Sequence, residues 1–357
     1  MKVVMMVHSR QLGGAERHAL MLATALREQG CEVVLVGPAT GWLLPRAADR
    51  GLRCVPLAMR GRFDALAAWR LAQLLRRERP VLLHAHLTRS TLYAAWARAW
   101  SGVRCGLVAT AHATSAYRHF ERADRVIAVS HAVAAALRRH GLGGARVVTV
   151  HHGLPDPGWD GEAAMGRAAL PPRVRFGMLA RFVADKGHDT ALQAFQRLLQ
   201  RREIAAELHL AGDATTPWGQ AMRELTERLG LGASVVWHGV TADPLGFLRG
   251  LDVALVPSRR EAFGLTALEA MAVGRPVLAS DLGGLPEVVE DGVTGQLLPA
   301  QDAAAWAEAM ANLAQDRARC QAWGQAGRRR FLEHFTLDHM LHATLDVYHA
   351  VATDARG

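Results

Sequence analysis

Two carboxylates eight positions apart, Glu261 and Glu269, flank the start of a helix in PSRREAFGLTALEAMAVGRPVLASDLGGLPEVVE, residues 257–290. The stretch reads as strand end, loop, helix, strand, and a second Gly-rich loop entering a helix. Glu261 falls in the loop and Glu269 inside the helix. Gly264, Leu265 and Thr266 sit where the helix begins. A helix N-terminus offers unpaired N–H groups and the positive end of a dipole, a natural seat for phosphate. A carboxylate a turn further in reaches a ribose diol, and the loop carboxylate faces whatever hangs from the phosphate. That layout suits a nucleotide sugar. The same residues also suit a plain amphipathic helix ending at Gly274, so the Glu pair alone does not decide.

The whole string resembles the E-x7-E signature of the GT4-type retaining glycosyltransferases (glycosyltransferase group 1). That segment runs E-G-F-G-x-x-x-x-E-A-M-A-x-G-x-P-V, and here Ala262 replaces a Gly. A second segment, ARFVADKG, carries two cations, Arg181 and Lys186, in a loop that opens a helix. Two such cations hold a diphosphate and stabilise charge on a leaving nucleotide; taken alone they are equally surface charges. The segment is similar to the family's G-R-x-x-x-x-K-G element, with Ala180 in place of the first Gly. The resemblance covers nearly the full chain. It implies donor contacts from Phe263, Gly264, Leu265, Thr266, Glu269, Arg181, Lys186 and Glu261.

Other residues lie at strand ends, where α/β sheets collect ligands. Gly13 and Gly14, in SRQLGGAERHAL, allow a close backbone approach or simply a tight turn. The family has a similar Gly-Gly loop over the donor phosphates. Glu16 and Arg17 read as cap-region charges. His112 ends a strand in LVATAHATSAYR, and the resemblance puts it near the donor sugar. Asp213, in LAGDA, and His238, Gly239 and Val240, in VWHGV, end successive later strands; the family places such ends around the base and ribose. Asp185 and His188 read as loop and cap residues. Ser130 reads as an N-cap with exposure on the acceptor side. His84 and His86 share one side of a strand; they suggest zinc, yet no third ligand is spaced to join them, so no metal site is expected. VHHGLP resembles the family's V-x-N-G-V-D element, but His152 replaces Asn and Pro155 replaces Asp. No D-x-D occurs, which fits a metal-independent transferase.

These loops need a frame. KVVMMV, EVVLVG, VLLHAH, GLVATAH, RVIAVS and RVVTV are short apolar runs separated by helical stretches such as ERHALMLATALREQG and DALAAWRLAQLLRRERP. The second half repeats the scheme with VRFGMLA, AELHLAGD, SVVWHG, VALVPS and PVLAS. Alternating βα units with continuous apolar strands indicate α/β, doubly wound parallel sheets. Residues 152–172 are rich in Gly and Pro without an apolar period and read as a linker. The resemblance implies the GT-B architecture: two Rossmann-like domains facing a central cleft. The expected division is 1–152 for the acceptor-binding domain, 153–172 linker, 173–336 for the nucleotide-sugar domain, and 337–357 as a helix returning to the first domain.

Composition narrows the function classes. A chain of 357 residues, half of them hydrophobic, suits two folded domains. The four cysteines are scattered, with neither metal nor disulfide spacing. The N-terminal apolar run is too short for a signal peptide, and no stretch approaches a membrane span. Residues 1–152 hold 22 Lys+Arg and 8 Asp+Glu, a net of +14; the remainder holds 20 and 25, a net of −5. Only Lys2 and Lys186 are lysines, which fits a high-GC genome, but base composition does not explain the asymmetry. A basic first half suggests an anionic partner, with Arg60, Arg62, Arg76, Arg77 and Arg79 as candidates for the positive face that meets it.

The resemblance therefore implies a retaining, metal-independent hexosyltransferase using a nucleotide sugar, with UDP-sugar the expected donor and no other cofactor. Arg181, Lys186, Glu261 and His112 are the expected catalytic residues. The acceptor is expected to be a cell-surface glycan or a lipid-linked intermediate such as one of lipopolysaccharide. The expected setting is cytoplasmic, peripheral on the anionic inner face of a bacterial membrane. Two alternatives stand: a nucleotide-sugar 2-epimerase of GT-B-like fold, and a basic nucleic-acid-binding protein. The latter lacks any aromatic-rich RNA motif or zinc finger, so nucleic acid is not an expected partner.

Overall fold

The computed structural model describes residues 1–9, 13–61, 63–159, 173–201 and 203–354. Arg62 and residues 160–172 of the expected linker lie outside them. In chain order the first half runs β1 (Lys2–Val7), α1 (Gly14–Glu28), β2 (Glu32–Gly37), α2 (Leu43–Asp49), β3 (Arg53–Pro56), α3 (Ala65–Glu78), β4 (Leu82–His86), α4 (Thr88–Ser101), β5 (Gly106–Ala111), β6 (Arg125–Ala128), α5 (His131–Arg139) and β7 (Val147–Thr149). The second half runs β8 (Val174–Leu179), α6 (His188–Leu199), β9 (Ala206–Ala211), α7 (Pro217–Arg228), β10 (Val235–Gly239), α8 (Pro244–Arg249), β11 (Val253–Val256), α9 (Leu265–Ala272), β12 (Val277–Ser280), α10 (Leu285–Val288), β13 (Gly295–Leu298), α11 (Ala303–Gln315), α12 (Arg317–His334) and α13 (Leu337–Asp354). These elements form two compact units, Met1–Leu154 with Leu337–Gly357, and Pro155–Thr336.

The first unit holds a seven-stranded sheet in the order β3-β2-β1-β4-β5-β6-β7, every pair parallel. Its central strands, such as VVMMV of β1, are buried residue after residue, as a sheet covered by helices on both faces requires. α13 belongs to this unit. Its Met340, Leu341, Val347, Tyr348 and Val351 share one core with Val3, Met5 and the inner face of α1. Asp64 and Ser130 cap α3 and α5, accepting from the backbone N–H groups of Ala67 and Val133 at 3.0 Å each. Ser130 is fully buried, so it serves the helix rather than an exposed acceptor surface.

The second unit holds a six-stranded parallel sheet in the order β10-β9-β8-β11-β12-β13. Its core includes Phe176, Phe195, Leu255 and Trp306. In each sheet the chain runs outward in one direction and then returns to the other side of its first strand. The reversal falls between β1 and β4 in one unit and between β8 and β11 in the other. Crevices for ligands form at the carboxyl ends of strands at such reversals. β3 and β13 add to the strands expected from sequence. Each is only four residues long, and neither RCVP nor GQLL makes a continuous apolar run. Among the described residues, no helix is long and apolar enough to cross a membrane.

Candidate functional site

At the reversal of the second sheet, two loops come together. One follows β8 and carries Arg181 and Lys186; the other follows β11 and carries Ser258 and Glu261. Lys186 Nζ lies 2.6 Å from Glu261 Oε2, and Ser258 Oγ donates to the same oxygen at 3.2 Å. The loops are further joined by Arg259, whose backbone N–H donates to the Asp185 carbonyl at 2.7 Å and whose guanidinium pairs with Asp189. Asp185 also pairs with Arg260 at 2.7 Å. Gly187 permits this approach, and Gly283 permits that of the loop after β12 to the Glu261 loop. A Cβ on Gly187 (φ +69°) would stand 1.9 Å from the Pro257 carbonyl oxygen, and one on Gly283 (φ +59°) would stand 1.9 Å from that of Glu261. Any side chain at either position would push the loops apart.

α9 starts directly behind the Glu261 loop. Gly264, at φ +114°, turns the chain into it with no side-chain cap. The first-turn amides therefore have no intrahelical acceptor. Thr266 Oγ donates to the Leu179 carbonyl at 3.0 Å, which fastens the helix start to the end of β8. Glu269 lies in the second turn and is 3% exposed. Phe263 differs from a ligand contact made by a side chain. Its ring is buried and packs edge-on against Phe335 at 5.9 Å, so only its backbone can meet a donor. Arg181 is exposed at the mouth of the β8 loop. A flexible ammonium, an exposed guanidinium and a helix N-terminus together suit a diphosphate. A carboxylate in their midst suits sugar hydroxyls.

The remaining expected donor residues of this unit follow outer strands. Asp213, after β9, accepts at one carboxylate oxygen from both the backbone N–H (3.0 Å) and hydroxyl (2.6 Å) of Thr215. Those bonds lower its pKa. His238, Gly239 and Val240 end β10, the edge strand two places from β8. His238 Nε2 is 2.9 Å from His209 Nδ1, and its ring packs edge-on against Phe247 at 5.0 Å. His188, at the first position of α6, is buried against Phe182 with ring centroids 4.1 Å apart. Burial, with Lys186 close by, lowers its pKa to about 3.

In the first unit, Gly13 caps α1 and Gly14 is its first residue, just past the reversal strand β1. Glu16 is buried in the first turn, and a Cβ on Gly13 would stand 2.8 Å from its Oε2. His112 follows β5, with its Nε2 3.1 Å from Nδ1 of His86 at the end of β4. Burial, together with neighbouring histidines, holds the pKa of both well below the usual imidazole value. His84 is also buried, 2.6 Å from the Tyr348 hydroxyl and 2.7 Å from that of Thr110. Two residues absent from the sequence-based site join this group. His18, from α1, packs against His86, His112 and His152 with ring centroids 5.4, 5.1 and 4.6 Å away. His152 was visible in the sequence only as a departure from the family's Asn.

Comparison with known proteins bears on both units. A family model described as Glycosyl transferases group 1 matches residues 170–330, and one described as Glycosyltransferase Family 4 matches residues 12–156. The D-inositol 3-phosphate glycosyltransferase of Actinosynnema mirum is 31% identical, covering 85% of this chain and 84% of its own. The lipopolysaccharide core biosynthesis mannosyltransferase LpsB of Rhizobium meliloti is 32% identical, covering 64% of this chain and 66% of its own. The crystal structure of Anabaena Alr3699/HepE in complex with UDP and glucose aligns with a TM-score of 0.84 at 19% identity, covering 97% of this chain and 99% of that one.

Proposed function

The chain belongs to the group 1, family 4 glycosyltransferases, and on that premise we propose a retaining transfer of a hexose from a nucleoside-diphosphate sugar, UDP-sugar first among them. The observation that carries this reading is the Lys186–Glu261 pair at the start of α9, at the reversal of the second sheet. The acceptor we propose is a cell-surface glycan or a lipid-linked intermediate. The UDP assignment draws on HepE, and the surface-glycan assignment on LpsB.

In this reading Arg181, Lys186 and the first-turn amides of α9 hold the diphosphate and stabilise it as charge builds on the departing oxygen. Glu261 accepts hydrogen bonds from sugar hydroxyls, and Glu269 accepts them from the ribose. Asp213 and His238 to Val240 border the base. His112 acts as a neutral imidazole, because its depressed pKa removes it as a cation near neutral pH. The bond between the sugar's anomeric carbon and the diphosphate breaks. A new bond forms from the acceptor oxygen on the same face, and the acceptor's proton passes to a phosphate oxygen. Charge neutralisation by protein groups makes a divalent metal unnecessary for this step.

The first unit offers a surface for a lipid-linked acceptor. Phe63 is 69% exposed, and Leu66, Trp69 and Trp100 are each about half exposed. Phe63 and Trp100 each stack with Trp96, at 5.9 and 6.4 Å. Aromatic and Arg side chains mixed on one pair of packed helices suit the interfacial layer of an anionic membrane. Of the arginines expected there, Arg60, Arg77 and Arg79 are exposed and remain candidates. Arg76 is committed to the Trp100 and Ser101 carbonyls.

Thermal-shift screening against UDP-, GDP- and ADP-sugars tests the donor reading, since a ligand that binds the native state raises Tm. One nucleotide sugar should raise Tm in wild type and fail to do so in Lys186→Ala. Absence of any shift across the panel refutes the reading. Accumulation of an epimerised nucleotide sugar without acceptor assigns the 2-epimerase activity instead.

A further inference from the structure

The amino-terminal edge of the second sheet, opposite the edge that carries Lys186 and Glu261, holds a cavity of about 80 Å³. Its lining gathers four arginines: Arg175 near the start of β8, Arg249 at the end of α8, Arg275 just before β12, and Arg317 at the first position of α12. All four belong to one compact unit. They meet because β8, β11 and β12 are neighbouring parallel strands. The amino ends of such strands, and the helix ends that feed them, share one edge.

The charge of this lining is unbalanced. Four guanidinium groups stand against one carboxylate, Asp252. That carboxylate accepts from the Arg175 backbone N–H at 2.8 Å and so serves the main chain. Among the described residues, Arg175, Arg249 and Arg317 form no ion pair, whereas other arginines of α12 do: Arg319 with Asp316 at 3.1 Å and Arg328 with Asp156 at 2.6 Å. Cys320 adds no negative charge. Its thiol donates to the Leu313 carbonyl at 3.3 Å, and burial pushes its pKa up to about 12.

Nor can these side chains all turn to bulk water. Arg275 is 8% exposed and donates from Nη2 to the Arg249 carbonyl at 2.7 Å. Arg249 donates in turn to the Pro157 carbonyl at 3.1 Å. Arg175 and Arg317 are half-buried, and Nε of Arg175 is buried without a partner among the described residues. Withdrawing cations from water without an anion is costly, and crowding like charges adds repulsion. An oxyanion in the cavity relieves both. The space suits one: a water takes about 10–15 Å³ by the same measure, so 80 Å³ admits a tetrahedral oxyanion with a water or two. The planar guanidinium fork matches phosphate oxygens.

We propose that this cavity is a phosphate site, taking phosphate either free or as the end group of a phosphate monoester. Arg175 and Arg317 contact the oxygens, while Arg249 and Arg275 supply fixed positive charge. The site is separate from the diphosphate seat, because β11, four residues or about 13 Å long, runs between the two edges. Its occupant stabilises the unit and takes no part in sugar transfer. It does border the far end of the donor helix: the Arg275 backbone N–H donates to the Ala270 carbonyl of α9 at 2.9 Å.

The test titrates full-length protein by calorimetry with inorganic phosphate and, separately, with glycerol 3-phosphate, against sodium chloride at equal ionic strength. Arg181→Ala/Lys186→Ala, which removes both cations of the diphosphate seat, should still bind phosphate at one site per chain, and phosphate should raise its Tm beyond the effect of chloride. Adding Arg175→Gln or Arg317→Gln to that protein should weaken binding at least about tenfold; two separate substitutions guard against one that fails to fold. Either substitution in the otherwise wild-type chain should keep the Tm response to a nucleotide sugar, which separates this site from the donor site. Equal affinity for the two probes assigns free phosphate as the occupant, and tighter binding of glycerol 3-phosphate assigns a monoester. Loss of phosphate binding in Arg181→Ala/Lys186→Ala overturns the proposal, as does a wild type that binds neither probe. Undiminished binding after Arg175→Gln and after Arg317→Gln overturns it equally.

Discussion

Replacing Lys186 by Ala separates a catalytic role from a structural one. Lys186 Nζ sits 2.6 Å from Glu261, and the two side chains are 23% and 15% exposed. A partly solvated pair of this kind contributes about 1 kcal/mol or less to stability. On a unit of this size that lowers Tm by about 2–4 °C. If Lys186 also neutralises the departing diphosphate, its loss should reduce turnover by about 10²-fold or more. That factor corresponds to about 2.7 kcal/mol of transition-state stabilisation, well above the cost to folding. The assay is steady-state nucleotide release at saturating donor, with the nucleotide sugar that gives the largest thermal shift. Arg181→Ala should fail similarly, with little change in Tm because Arg181 is exposed. Lys186→Arg should recover part of the loss, since the charge persists while the position changes. A double-mutant cycle with Glu261→Gln adds a check: groups in contact should give non-additive losses. Near-wild-type turnover in both Lys186→Ala and Arg181→Ala refutes the diphosphate assignment.

Four further outcomes follow from the same structure. Glu269→Gln should mainly weaken donor binding, whereas Glu261→Gln should mainly lower turnover; nucleotide dissociation constants and saturating kcat distinguish them, and identical profiles refute the placement. Turnover should survive brief EDTA treatment without Mg²⁺ or Mn²⁺, a complete loss restored by either ion being the contrary result. Anionic vesicles should pellet the protein at low salt but not at high salt, neutral vesicles should not, and Phe63→Ser/Trp69→Ser should weaken the association; no pelleting with anionic vesicles at low salt excludes the membrane face. His188 has a folded pKa lowered to about 3 from an ordinary value of 6.5, so the unfolded chain takes up its proton first as pH falls. Its contribution is therefore present above about pH 6.5 and lost progressively towards pH 3; His188→Gln should flatten the acid limb of Tm against pH, and an unchanged limb argues against it.

Much of the candidate site was legible because its parts are local. The span from Arg181 to Lys186 is one loop, and the span from Glu261 to Glu269 is one loop and one helix. Each motif's spacing is set by a strand end and the helix start that follows. The βα alternation was legible for a related reason: strands buried on both faces need unbroken apolar runs. β3 and β13 were not legible, because short strands with partly exposed residues carry no such run. The inward ring of Phe263 was hidden too, since its partner Phe335 lies far along the chain.

The sequence by itself determined the class of fold, the loops that carry chemistry and the residue types within them. Only the tertiary structure decided which loops meet. Lys186 and Glu261 are 75 positions apart and touch because the crossover after β10 returns the chain beside β8. His18, His86, His112 and His152 lie on four segments of the first unit, and no spacing between them is short enough to mark them as neighbours. They converge because parallel strands deliver all their carboxyl ends to one edge of the sheet. Strand order then selects which of those ends are neighbours. That order arises from packing many crossover helices against two faces at once, a condition on the whole chain that no local window contains.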